Sequence, residues 1–98
     1  MTIEKFTINE ITTIVMAMIE QIEVYELSGV EEEVYLPKPI EDKIELLNSE
    51  DREVFYENIN LIVEEVRELK SGELNMLNNI RSEVSYLADE YLEGYITN

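Results

Sequence analysis

The chain has 98 residues, 23 of them acidic against 7 basic, for a formal net charge of -16 at pH 7. That balance excludes direct binding to nucleic acid or to an anionic membrane as a default, and it favours a basic partner surface. Cys, His and Trp are absent, which removes a disulfide framework, thiolate metal sites, the usual general base and most transition-metal centres.

Such a length makes one domain, 1–98, able to bury about 65% of its unfolded surface. Hydrophobic residues make up 45% of the chain, and their periodic order argues against disorder. Glu4 and its polar neighbours exclude a signal peptide at the N-terminus, so a cytoplasmic protein is expected. Met1 to Phe6 reads as a short extended lead-in, with Phe6 placed to staple onto Ile11 or Ile14.

The first helix is expected over 7–28. Thr7 with Glu10 fits a capping box, and Gly29 after Ser28 is a left-handed stop. Between them Ile8, Ile11, Val15, Met18, Ile22 and Tyr25 recur at steps of three and four, which is one helix face, and Ile14 and Ile19 widen it. Met16, Val24 and Leu27 fall on another side. An apolar second side needs a cover, and a homodimer built through these three residues would supply one. The unbroken apolar run Ile14–Ile19 is far shorter than the ~20 residues of a transmembrane helix.

Val30 to Leu36 reads as a loop or short strand carrying Glu31, Glu32 and Glu33. Pro37-Lys38-Pro39 then forbids a continuing helix. A short helix is expected over 40–47, with Ile40, Ile44 and Leu47 on one face. Asn48 or Ser49 caps the third helix, 50–70, whose core positions Phe55, Ile59, Ile62, Val66 and Leu69 are spaced 4-3-4-3. The fourth helix, 73–92, carries Leu77, Ile80, Val84, Leu87 and Tyr91 at 3-4-3-4. The link through Ser71-Gly72 is short enough to make the last two helices an antiparallel hairpin. The expected fold is all-α, a small three- to four-helix bundle, with Tyr95 to Asn98 fraying beyond Gly94.

No motif carries catalysis. Three glycines form no phosphate loop, and carboxylate pairs are too plentiful for any one to signify without a cleft. Glu31, Glu32 and Glu33 lack the spacing of a calcium loop and read as a solvated turn. No metal or other cofactor is expected, and no enzyme.

The third helix holds the candidate contact surface. Glu53, Glu57, Glu64 and Glu68 stand at steps of 4, 7 and 4 on one face opposite the core, with no Lys between them. A soluble helix ordinarily mixes signs, because opposite charges at i,i+4 are worth a few tenths of a kcal/mol and like charges cost as much. The spacing of neighbouring carboxylates, about 6 Å along the axis, is of the order of the interval between phosphates on a nucleic-acid strand. The bland alternative is an ordinary solvated face. Tyr56, one of six tyrosines, joins the candidate surface, since tyrosine adds contact area at low entropic cost.

In length, charge, lack of Cys and His, and this acidic stripe, the chain resembles the small acidic phage-encoded inhibitors: anti-CRISPR proteins, DNA-mimic restriction inhibitors and related anti-defence factors. The resemblance implies a non-catalytic inhibitor in the host cytoplasm that blocks a basic, nucleic-acid-binding surface of a host protein. The alternative is an acidic helical scaffold or regulatory adaptor that binds its partner through an apolar and aromatic surface.

Overall fold

The computed structural model describes residues 5–31, 34–68 and 77–97. Four α-helices hold most of them: α1 (Ile8–Ser28), α2 (Lys38–Leu46), α3 (Ser49–Glu68) and α4 (Leu77–Tyr91), with a 3-10 turn over Glu93–Tyr95. The all-α fold expected from the apolar spacing is the one observed. The turn through Ser71-Gly72, and positions 69–70 and 73–76 expected to be helical, lie outside the described residues.

Local chemistry sets the helix ends. At the start of α1 the capping box is complete: the Glu10 amide donates to Thr7 Oγ1 at 3.1 Å, and the Thr7 amide donates to Glu10 Oε1 at 2.9 Å. At its end Gly29 takes φ 71°, a left-handed value, and its amide donates to the Tyr25 carbonyl at 2.8 Å. Helix α2 begins at Lys38, two residues before the apolar spacing indicates. Pro37 caps it and Pro39 lies in its first turn, where a missing amide leaves nothing unsatisfied. Asn48 Oδ1 accepts the Asp51 amide at 2.8 Å, so Asn48 rather than Ser49 supplies the side-chain cap of α3.

All four helices contribute to one buried cluster. Ile11, Ile14, Val15 and Ile19 come from α1, Ile40 and Ile44 from α2, Phe55, Ile59, Ile62, Val63 and Val66 from α3, and Ile80, Val84, Leu87 and Ala88 from α4. The expected seams of α3 and α4 are thus the buried ones, apart from Leu69 and the Leu77 side chain, which lie outside the described set. Tyr91 is half-buried against the cluster. The apolar face of α1 is buried only as far as Ile19; beyond it Ile22 is half-buried and Tyr25 is exposed.

Contacts near both ends of α1 and α3 fix their running directions. Phe6, just ahead of α1, stacks on Phe55 near the start of α3, with ring centroids 4.7 Å apart. Glu26, near the end of α1, pairs with Arg67 near the end of α3. These two helices therefore run in the same sense, with α2 returning the chain between them. Phe6 also bridges Ile96, beyond the end of α4, so α4 runs the opposite way to α1.

That bridge corrects the expectation that Tyr95 and its successors fray. The Phe6 amide donates to the Tyr95 carbonyl at 2.7 Å, and the Thr97 amide donates to the Phe6 carbonyl at 2.9 Å. Leu92 and Ile96 are buried, and the Tyr95 ring meets Phe55 edge-on at 5.6 Å. The Phe6 ring, expected as a staple on α1, stacks on Phe55. The chain past Gly94 is held because it completes the core around two aromatic rings.

Candidate functional site

The few cations largely decide which carboxylates remain free. Lys43 Nζ donates to Glu10 Oε1 at 2.8 Å and to the Lys5 carbonyl at 3.0 Å, and it lies 5.8 Å from the centre of the Phe6 ring. Arg52 turns away from the α3 surface to cap the end of α2, donating to the Ile44, Glu45 and Leu47 carbonyls at 3.3, 3.0 and 3.1 Å. Lys38 pairs with Asp42 at 3.2 Å, one turn along α2, and Arg67 pairs with Glu26. The Lys43, Arg52 and Arg67 contacts join or cap helices, whereas the Lys38 pair lies within α2.

No ion pair reaches Glu53, Glu57, Glu64 or Glu68 among the described residues. All four are exposed, and they span about 22 Å of one straight helix face. The face is rigid because its opposite side is buried: Phe55, Ile59, Ile62 and Val66 are each fully excluded from solvent. Glu65, at the edge toward α4, accepts from the Tyr91 hydroxyl at 3.2 Å. That bond, which favours the protonated phenol beside a carboxylate, raises the Tyr91 pKa, with the negative charge of Glu65 acting the same way.

Tyr56 lies beside the stripe and is turned toward α2. It is half-buried against the core, and its ring meets Phe55 edge-on at 5.8 Å. Burial raises its pKa; Arg52 opposes this and Glu41 of α2 reinforces it. The structure thus brings the four glutamates together and gives Tyr56 a packing role at the α2 contact.

Sequence reasoning missed two residues on the same side of α3. Val54 and Leu61 are 44% and 43% exposed. At about 100° per residue they fall between the glutamate stripe and Glu65. The signal was present: both are apolar, both lie off the core seam, and they stand seven apart, in step with Glu57 and Glu64.

The three residues assigned to a dimer interface differ among themselves. Met16 is half-buried against the core, Val24 is half-buried, and Leu27 is 90% exposed. Of the acidic turn, Glu31 is exposed and 32–33 lie outside the described residues. Among the described residues no group of three acidic side chains is placed to hold a metal ion, and no helix is long and apolar enough to cross a membrane. Comparison with protein-family models, with curated proteins and with solved structures finds no match.

Proposed function

We propose that the protein is a non-catalytic inhibitor of the phage anti-defence kind, which occupies a basic nucleic-acid-binding surface of a host protein through the outer face of α3. The observation that carries this reading is the exposed row of Glu53, Glu57, Glu64 and Glu68, which meets no cation among the described residues, on a helix whose other side is packed against the core. A row of like charges that no described cation offsets costs the fold a little, and a cationic groove would be attracted to it over several ångströms.

The test compares wild type with a Glu57→Lys, Glu64→Lys double variant in pull-downs from bacterial lysate, followed by competition of the recovered partner with nucleic acid. Wild type should recover a nucleic-acid-binding protein and displace its nucleic acid, with an affinity that falls steeply as salt rises. The double variant should recover nothing. Equal recovery of the same partner by both proteins would reduce the row to a solvated face.

A second reading, an adaptor that binds through apolar surface, draws on Tyr25, Leu27, Val30 and Tyr35, all more than half exposed at or after the end of α1. Binding of that kind should persist at high salt. A homodimer through α1 is its version with a second copy of this chain. A Leu27→Glu variant should then shift a dimeric mass to a monomeric one by light scattering, and a monomeric wild type at high concentration would end that version.

A further inference from the structure

We infer that the partner element received by α3 is a basic amphipathic helix, with an apolar row at heptad spacing and Lys or Arg along one flank. This rests on the proposed role of the glutamate row and adds a second component to it. A pure phosphate mimic needs only charge. The outer face of α3 carries, in addition, Val54 and Leu61, aliphatic side chains left 44% and 43% exposed while the other aliphatic side chains of the helix are buried.

Their placement is regular. Val54 and Leu61 are seven residues and roughly 10 Å of axis apart, the repeat at which one helix presents apolar side chains to another. On one side of them run Glu53, Glu57, Glu64 and Glu68. On the other side Glu65 is engaged by Tyr91. The face is therefore lopsided: an apolar pair with one anionic flank that meets no cation among the described residues.

Charge decides what can cover it. A second copy would lay one glutamate row against another, in a chain of net charge -16. Nucleic acid and anionic membrane are repelled for the same reason. A flat cationic groove would satisfy the glutamates while leaving Val54 and Leu61 against polar groups. A helix with aliphatic residues seven apart and cations along one flank satisfies both rows together, the helix-in-groove mode of recognition with charge fixing the register.

The experiment measures binding of two synthetic helical peptides, each about three heptads long. One carries Leu at its apolar heptad positions and Lys along one flank. Its twin keeps every Lys and has Gln in place of each Leu. Fluorescence anisotropy is recorded at about 50 mM and about 500 mM salt. Wild type should bind the Leu peptide about tenfold more tightly than its twin, and keep that preference at high salt. A Val54→Asn, Leu61→Asn variant should bind both peptides alike, with the low-salt affinity of wild type for the twin. The Glu57→Lys, Glu64→Lys variant should lose both. Equal binding of the two peptides by wild type overturns the inference and leaves a purely anionic face standing; that comparison needs no variant to fold. A preference undiminished by Val54→Asn with Leu61→Asn overturns it equally. Binding unaffected by Glu57→Lys with Glu64→Lys removes the role of the glutamate row itself, and failure of wild type to bind either peptide removes both.

Discussion

The end of the bundle where α1, α2 and α3 begin or meet, and the outer face of α3, use the same residue types to opposite effect. At the first, Glu10 closes a helix cap and takes Lys43, while Lys43 also holds the Lys5 carbonyl, and Arg52 seals the end of α2. At the second, four glutamates stand in a row and meet no cation among the described residues. The contrast is between glutamates that a cation reaches, Glu10 and Glu26, and a row that meets none among the described residues. In that row the carboxylates are exposed and face outward.

The largest way to break the contrast is to remove the aromatic floor of the first region. Phe55 stacks on Phe6, meets Tyr95 edge-on and is fully buried. Phe55→Ala should destabilise the fold by about 3–5 kcal/mol, measured by urea denaturation, while leaving the chemistry of the glutamate row untouched. A loss under about 1 kcal/mol would mean that the rings are not the keystone of that end.

Next comes the cation beneath it. Lys43→Met keeps an apolar stem over Phe6 and deletes two hydrogen bonds. Its cost should be about 1–2 kcal/mol, well above the effect of Lys38→Met, whose pair with Asp42 is largely solvated. Equal effects of the two changes on thermal denaturation would deny that Lys43 is special.

Acid sharpens the comparison further. Burial acts to raise the Glu10 pKa, but the bonds from Lys43 and Thr7 outweigh it and hold the carboxyl below its ordinary value of 4.5. A depressed carboxylate stabilises the fold above its unfolded pKa and loses that contribution as pH falls through the folded value. The Tm gap between wild type and Glu10→Gln should accordingly hold steady from neutral pH down to about 5, then shrink below 4.5. A gap that stays constant to far lower pH would contradict this.

The smallest effect lies on the outer face. Glu57→Lys with Glu64→Lys places an opposite charge at i,i+4 from Glu53 and Glu68, and should raise stability by a few tenths of a kcal/mol even as it abolishes binding. A stability loss beyond about 1 kcal/mol would show that the row has a structural role.

Much of the fold was legible because its signals are local. Thr7, Glu10 and Gly29 mark α1 by capping chemistry alone, and the 4-3-4 spacing of Phe55, Ile59, Ile62 and Val66 marks the buried side of α3. The start of α2 was missed by two residues because a proline excluded from a helix interior is accepted in its first turn. The held C-terminal segment was missed for another reason: Ile96 has no local signature, and its partner Phe6 lies at the other end of the described chain. The exposed glutamate row followed from periodicity, since whatever lies opposite a buried seam faces solvent. That Arg52 and Arg67 would turn away from that row, toward α2 carbonyls and toward Glu26, depended on tertiary neighbours that spacing does not encode.

The contact between Phe6 and Ile96 joins the two ends of the described chain, so the core it completes cannot form from local contacts alone. Phe6 finds its backbone partners only after Tyr95 and Thr97 have been made. Until then Phe6 lacks both of those hydrogen bonds, and the leading end of α1 is held by its cap, by Lys43 and by the stack of Phe6 on Phe55. A dense negative charge, which keeps incompletely folded neighbours apart, suits a protein whose core depends on a contact between residues so distant in sequence.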